Sequence, residues 1–176
     1  KAVVSEGPRR VNELIEWGAS FDKENNHLVF TQEGGHHFPR IIHAQGDSTG
    51  KEIEQTLIRV VKENKNIKIF DHTFVIDLIT KDGTCNGAVA WHAEKGNLLI
   101  WAKRTILATG GCGQVYRETT NPDVATGDGL AMAYRAGAAL QDMEFMQFHP
   151  TTLYIGGAVR FLITETVRGE GGILRN

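Results

Sequence analysis

The C-terminal quarter of the chain holds two groups of side chains whose types suit the binding of a carboxylate. One is Thr164-Glu-Thr-Val-Arg-Gly-Glu-Gly-Gly172, which gathers a hydroxyl, a carboxylate and a guanidinium within a few residues. A guanidinium offers a planar pair of N–H donors that matches a carboxylate, so Arg168 is a candidate ligand. The other is Gln147-Phe-His-Pro-Thr-Thr152, where the proline holds the His149 backbone extended. A surface ion pair in the first group and a packed core histidine in the second stay open as alternatives.

A glycine-rich stretch upstream suits contact with a phosphate-bearing cofactor. The segment Thr109-Gly-Gly111 follows an apolar run, and glycines there let the backbone approach a ligand closely. Thr126-Gly-Asp-Gly129 precedes a predicted helix, whose N-terminus offers free N–H groups to an anion. Asp128 either caps that helix or accepts a hydrogen bond from a sugar hydroxyl. The sequence has no GxGxxG fingerprint, so we expect any pyrophosphate site of that kind to lie before Lys1.

A histidine-rich segment raises a metal hypothesis that the spacing disfavours. Glu33-Gly-Gly-His-His37 is followed by His43. The segment lacks the neighbouring cysteine or carboxylate pattern that is typical of zinc, so we predict no metal site. Its two glycines favour a loop that folds over another part of the protein or a ligand.

Three helices and a series of short strands must position these groups. Apolar side chains at helical spacing or small residues predict helices over Ser5–Gly18, Ser48–Asn64 and Asp128–Ala138. The predicted strands are short and apolar, with a tight turn at Asp82-Gly83: Ile67–Phe70, Phe74–Ile79, Cys85–His92, Leu98–Ala102 and Thr105–Ala108. The turn-rich stretch Phe21–Ala44 around Leu28–Phe30 predicts a small hairpin or an excursion over the surface. This alternation predicts an α/β or α+β domain.

Composition is that of an ordinary globular protein. Of the 176 residues 41% are hydrophobic and the formal net charge is −2, so we expect no nucleic-acid partner. No apolar run approaches the roughly 20 residues that a membrane span needs. Cys85 and Cys112 form no CxxC pair, which favours a reducing cytoplasm. Because the chain begins at Lys1 without a methionine and stops at Asn176 just after a glycine motif, we expect an internal piece of a longer protein.

Taken in order, these motifs resemble the L-aspartate oxidases, within the wider family of succinate dehydrogenase and fumarate reductase flavoproteins. The resemblance extends along essentially the whole chain. The matching segments carry most of the glycine, histidine and arginine motifs: Glu33–His36, Arg40–Ala44, Asp47–Gly50, Leu107–Gly111, Tyr116–Gly129, Ala131–Gly137, Met143–Thr151 and Thr164–Asn176. The later segments are shared by the wider family, whereas Glu33–His36 and Thr119–Asp123 favour the aspartate oxidases.

The resemblance implies an α/β fold and a cofactor. The fold is a Rossmann-like, glutathione-reductase-type FAD/NAD(P)-binding domain with a β-meander over residues 1–142, incomplete without its N-terminal phosphate-binding βαβ unit. An α+β capping domain would start within residues 143–176. The implied cofactor is non-covalent FAD. Its implied contacts are Phe74 and Val75 at the adenine end, Asp128 at the sugar or ribityl region, and Ala108, Thr109, Gly110 and Gly111 beside the flavin.

The resemblance also implies an activity, the FAD-dependent oxidation of L-aspartate to iminoaspartate with O2 or fumarate as electron acceptor. This is the first step of de novo NAD biosynthesis. His149 and Thr164 would bind the substrate carboxylates with Glu165 beside them, and Glu33 would orient the substrate amino group. Glu165 and Arg168 would form a proton relay. The main acid–base arginine would lie beyond the C-terminal residue, so we expect this segment alone to be inactive.

Two alternatives stay open at this point. The first is a fumarate reductase or succinate dehydrogenase flavoprotein, and the second is a non-catalytic nucleotide-binding module. The expected partners are L-aspartate and dicarboxylates such as fumarate or succinate, O2, and quinolinate synthase, with no nucleic acid and no membrane span.

Overall fold

The computed structural model describes residues 1–46, 48–156, 161–164, 166–173 and 175. The helices are α1 (Ala2–Glu16), α2 (Thr49–Glu63), α3 (Asp128–Arg135) and α4 (Thr166–Gly169), with a 3-10 turn at Gly113–Val115. The strands are β1 (Lys23–Glu24), β2 (His27–Leu28), β3 (Phe30–Thr31), β4 (Ile41–Ile42), β5 (Thr73–Lys81), β6 (Thr84–His92), β7 (Gly96–Trp101), β8 (Thr152–Leu153) and β9 (Phe161–Leu162). The chain divides into a first unit, Lys1–Ile69 with Ile163–Asn176, and a second unit, Phe70–Leu162. None of the helices in the described ranges is both long and apolar enough to cross a bilayer.

Helix α1 confirms the first predicted helix, although it begins at Ala2 rather than Ser5. The Ser5 hydroxyl does not cap a helix start. It donates to the Ala2 carbonyl at 3.0 Å, as a hydroxyl inside a helix commonly does. The helix ends at Glu16, two residues before the predicted end, and Gly18 turns the chain away with a φ of +94° and a 2.9 Å hydrogen bond from its N–H to the Ile15 carbonyl.

The first unit has a small core under α1 and α2. Its buried centre consists of Ala19, Phe21 and Ala44, and the side chains packed on it are Val11, Leu14, Ile15, Leu28, Ile42 and Ile53. Helix α2 agrees with its prediction to within one residue at each end. The Glu52 carboxylate of α2 accepts the Ser20 N–H at 2.7 Å, which holds the helix on the segment that follows α1.

Two antiparallel strand pairs complete this part of the first unit. Strands β1 and β2 are joined by Asn25 and Asn26, whose φ angles of +49° and +67° give a turn suited to a two-residue hairpin. Strand β3 pairs with β4, with Thr31 opposite Ile41. This pairing closes the loop of residues 32–40, so that the residue just after β3 lies near the residue just before β4.

The second unit contains a three-stranded antiparallel meander in the order β5-β6-β7. The predicted Asp82-Gly83 turn is confirmed, with φ angles of +50° and +72°. The buried His92 closes the next turn, because its Nδ1 accepts the backbone N–H of Glu94 at 3.0 Å. A bulge between Val75 and Asp77 interrupts β5.

Two predicted strands are absent, at Ile67–Phe70 and Thr105–Ala108. Both are apolar, but a strand exists only with a partner, and neither segment pairs with another strand among the described residues. The Ile67 N–H instead bonds to the Asn64 carbonyl at 3.0 Å in the turn after α2. Ile106 is 89% exposed, whereas the side chains of an apolar strand in a covered sheet are buried.

Helix α3 confirms the third predicted helix but ends at Arg135 rather than near Ala138. Gly137 has a φ of +81° and donates its N–H to the Tyr134 carbonyl at 3.0 Å. Glycine adopts this left-handed conformation readily, so it ends the helix at the preceding turn.

Candidate functional site

The residues predicted to form a site fall in both units, and each group is described within its own unit. The second unit carries Phe74, Val75, Ala108, Thr109, Gly110, Gly111, Asp128 and His149. The first unit carries Glu33, Thr164 and Arg168. Glu165 lies outside the described residues.

In the second unit the two glycine motifs lie directly on each other. A Cβ atom added at the buried Gly129 would overlap the Thr109 hydroxyl. The Gly127 N–H also donates to the Gly111 carbonyl at 3.2 Å. Only a glycine allows this approach, so the first turn of α3 is fixed against the loop of residues 109–111.

The opposite side of this loop is open. A Cβ atom at Gly110 or Gly111 would meet no heavy atom within 4 Å. Gly110 has a φ of +75°, a conformation that residues with side chains rarely adopt. Ala108 and Thr109 are exposed as well. The loop therefore presents bare backbone beside a helix N-terminus, an arrangement that fits a flat or phosphate-bearing ligand.

Asp128 does not cap α3 with its side chain. The N-cap residue is Gly127, with a φ of +81° and no side-chain cap hydrogen bond. Thr126 donates its hydroxyl to the Asp128 Oδ2 at 2.7 Å. The carboxylate is thus held in an exposed position in the first helical turn, where it is able to accept a hydrogen bond from a ligand hydroxyl.

Phe74 and Val75 lie on β5, opposite Trp91 and Ala90 of β6. Strand β5 is an edge of the described meander, so its outer side carries backbone groups that no other described strand takes up. Such an edge is suited to backbone contacts with a ligand, which is the role predicted for these two residues.

An ion pair that the sequence did not indicate connects β5 with α3. The Arg135 Nε lies 2.8 Å from the Asp77 Oδ2. This hydrogen bond lowers the pKa of Asp77 below its usual value, and the Leu78 N–H, 2.9 Å from Oδ1, lowers it further. The pair joins the end of α3 to the strand that carries Phe74 and Val75.

His149 is oriented by its neighbour Thr151. Its Nδ1 accepts the Thr151 N–H at 3.2 Å and lies 3.0 Å from the Thr151 hydroxyl, and Thr151 is buried. Because Nδ1 accepts a hydrogen bond, the neutral ring carries its proton on Nε2. Nε2–H is therefore the hydrogen-bond donor of this tautomer.

His149 also lines a pocket of about 250 Å³ within the second unit. Tyr116 and Phe148 meet there edge to face, with ring centroids 5.6 Å apart. Thr119 and Asn121 supply polar atoms to the same wall. The sequence alone did not indicate this aromatic pair, whose only signal was that both residues belong to segments that match the family.

In the first unit Glu33 lies beside His43. Glu33 Oε1 is 3.5 Å from His43 Nε2, and both side chains are about four-fifths buried. Among the described residues, His36 Nδ1 and His43 Nε2 are buried without a hydrogen-bond partner. Within the same described part of the chain, no three His, Cys, Asp or Glu side chains are grouped so as to hold a metal ion.

Helix α4 lies directly on the loop that carries Glu33. A Cβ atom at Gly169 would overlap the Gln32 carbonyl oxygen. The turn after α4 is closed by a 2.8 Å hydrogen bond from the Gly172 N–H to the Val167 carbonyl. The structure therefore brings together the Glu33–His36 and Thr164–Gly172 motifs, which are far apart in sequence.

Sequence comparison places the chain among flavin-binding proteins. A family model described as an FAD binding domain matches residues 1–176. The chain is 50% identical to L-aspartate oxidase 2-b, chloroplastic, of Nicotiana tabacum, over 100% of this chain and 29% of that protein. It is 42% identical to the L-aspartate oxidase of a Synechocystis strain, over 98% of this chain and 31% of that protein.

Solved structures give the same fold. A variant of the E. coli quinol fumarate reductase FrdA superposes with a TM-score of 0.90 at 38% identity, over 98% of this chain and 29% of that chain. Mycobacterium smegmatis Sdh1 in complex with UQ1 superposes with a TM-score of 0.81 at 39% identity, over 98% of this chain and 31% of that chain. These similarities confirm the fold class predicted from the sequence. The chain spans about three-tenths of the length of the relatives that it matches.

Proposed function

The chain belongs to the FAD-binding domain family, and we propose that its protein oxidises L-aspartate to iminoaspartate. The observation that carries the proposal is the contact of Gly169 with Gln32, which sets the Glu33 loop against the Thr164–Gly172 motif. One motif offers the Glu33 carboxylate for a substrate ammonium group, and the other offers the Thr164 hydroxyl for a substrate carboxylate. Relatives named L-aspartate oxidase at 42 to 50% identity support the same reading.

The described residues fit FAD, the cofactor of this family. The open backbone at Gly110 and Gly111 leaves room for a flat ring system, and the exposed Asp128 carboxylate suits a sugar or ribityl hydroxyl. The outer edge of β5 at Phe74 and Val75 suits contacts with the adenine end. When bound without a covalent link, FAD supplies the acceptor for the hydride that leaves the substrate α-carbon.

The substrate-binding residues would act by charge and orientation. Nε2–H of His149 would donate to one substrate carboxylate, and the Thr164 hydroxyl, with Glu165 beside it, would contact the other end of the dicarboxylate. Glu33 would accept from the ammonium group of aspartate. A negative side chain near that ammonium favours aspartate over succinate, because opposite charges attract strongly where water is excluded.

Proton movement is assigned to Glu165 and Arg168. Arg168 is exposed on α4, so a relay through this residue would open to solvent. The main acid–base arginine would be supplied from outside this chain. This chain alone would therefore bind and orient ligands without turnover.

A fumarate reductase or succinate dehydrogenase flavoprotein is the second candidate. The observation that favours it is the TM-score of 0.90 with quinol fumarate reductase. In that case the same His149 and Thr164 would bind succinate or fumarate, and Glu33 would have no ammonium group to contact.

The setting of the enzyme is part of the proposal. We place the start of the capping domain near Met143, with the FAD-binding domain before it. O2 or fumarate would accept electrons, quinolinate synthase would take the product toward NAD, and the protein would act in the cytoplasm. The tobacco relative is named chloroplastic, so a plastid location is the alternative that a localisation experiment has to exclude.

The deciding experiment measures peroxide release by the full-length protein with FAD in air, with L-aspartate or succinate as substrate. Peroxide from aspartate and none from succinate is the expected result. Turnover of succinate with a dye acceptor, without activity on aspartate, would contradict the proposal and support the second candidate.

A further inference from the structure

Glu33 stands on a glycine-containing loop, across which its carbonyl oxygen accepts the His36 N–H at 3.0 Å. Gly34 and Gly35 follow it directly, and Gly35 has a φ of +83°. Glycines give a backbone more freedom than other residues, so the loop sequence by itself does not fix the direction of the carboxylate. A specificity-determining carboxylate needs a fixed direction, because a displacement of about 1 Å is enough to weaken a contact with substrate.

His43 stands on a rigid part of the same unit. It follows β4 directly, and its carbonyl oxygen accepts the Asp22 N–H at 2.8 Å. The next residue, Ala44, is fully buried in the core. The backbone at residue 43 is thus held in place, and the imidazole Nε2 lies 3.5 Å from Glu33 Oε1.

We propose that His43 is a positioning residue that holds the Glu33 carboxylate toward the substrate ammonium and thereby sets the preference for an amino dicarboxylate. This inference rests on the proposed function. The 3.5 Å separation is slightly longer than a hydrogen bond, and such contacts commonly tighten when substrate binds. Because His43 Nε2 is buried and has no hydrogen-bond partner among the described residues, shortening this contact would satisfy it.

The test compares two amides at residue 43 in the full-length protein with FAD. In His43→Gln the side-chain amide reaches about as far as Nε2, whereas in His43→Asn it reaches only about as far as Nδ1. The measured quantity is the ratio of kcat/KM for aspartate to kcat/KM for succinate with a dye acceptor. We expect His43→Asn to lower the ratio about tenfold through a higher KM for aspartate, and His43→Gln to restore most of it. His37→Asn, at an exposed histidine of the same loop, is the matched control.

A double-mutant cycle separates positioning from a general structural effect. In a Glu33→Gln background His43→Asn should leave the ratio unchanged, because no carboxylate remains to be positioned. Flavin absorbance of the purified variants checks the fold, and His43→Phe replaces His43→Asn if the latter loses FAD.

Each outcome decides between the two proposals. The role of His43 would be overturned if His43→Asn left the ratio of the two kcat/KM values unchanged, or lowered it equally with Glu33 and with Gln at residue 33. Turnover of aspartate by the wild type would still uphold the proposed function. A wild-type protein that turns over succinate and not aspartate would overturn both.

Discussion

Gly129 of α3 packs on Thr109 so closely that any side chain at residue 129 would overlap the Thr109 hydroxyl. This contact joins the two glycine motifs of the second unit and leaves the other side of residues 110 and 111 open. Gly129 is therefore required by packing within the protein, whereas Gly111 is required only if a ligand lies against it. This distinction gives two predictions that differ in their effect on stability.

Gly129→Ala should destabilise the full-length protein by about 1–3 kcal/mol, because the added methyl group has no space against Thr109. FAD binding should weaken as the first turn of α3 moves. Chemical denaturation and flavin titration measure the two effects. Gly7→Ala, at a helical glycine with nothing within 4 Å of its Cβ position, is the control. Equal stability of the two variants would show that α3 is not held on Thr109.

Gly111→Ala should leave stability nearly unchanged, since its Cβ would enter open space and its φ is not positive. FAD binding should nevertheless weaken about tenfold or more, which corresponds to about 1.4 kcal/mol, if the flavin lies on this loop. Flavin fluorescence titration gives the Kd. An unchanged Kd would remove Gly111 from the cofactor site.

The helices could be predicted because their signal is local. The apolar spacing of α2 placed both of its ends to within one residue, and Gly18 and Gly137 mark where α1 and α3 finish. Strands at residues 67–70 and 105–108 were predicted from the same kind of local pattern, and these two predictions were wrong. A strand depends on a partner that no local pattern specifies.

The candidate site was predictable as motifs and not as contacts. The glycine, histidine and arginine motifs could be picked out singly from the sequence. Three contacts join residues that are separated along the chain: Gly169 with Gln32, Glu33 with His43, and Tyr116 with Phe148. Only the folded chain shows which motifs share a surface within a unit.

The Asp77–Arg135 pair predicts a pH-dependent contribution to stability. Arg135 lowers the pKa of Asp77 in the folded protein, so the pair stabilises the fold above the unfolded pKa of about 4 and loses this effect as pH falls through the folded pKa. Arg135→Gln should cost less than about 1 kcal/mol at pH 7, because both groups are partly exposed, and less still at pH 3. Denaturation at both pH values measures this difference. Arg117→Gln, at a largely exposed arginine, is the control, and a loss that grows toward low pH would contradict the prediction.

Thr151→Val tests the orientation of His149. The change removes the hydroxyl that lies 3.0 Å from Nδ1 and keeps the backbone N–H on the same atom. We expect the KM for dicarboxylates to rise about threefold to tenfold, the range of one neutral hydrogen bond, with a small change in kcat. Steady-state kinetics measure both values. Thr80→Val on the exposed face of β5 is the control, and an unchanged KM would separate His149 from the substrate.

Gly169→Ala tests the contact on which the proposed function depends. The new methyl group would overlap the Gln32 carbonyl, so α4 and the Glu33 loop must move apart. Because Glu33 follows Gln32 directly, its carboxylate should shift, and the preference for aspartate over succinate should fall about tenfold. The ratio of the two kcat/KM values measures this effect. Gly156→Ala, where a Cβ atom meets nothing within 4 Å, should leave the ratio unchanged. If Gly169→Ala keeps the wild-type ratio at normal flavin content, the Glu33 loop and α4 do not form a common substrate site.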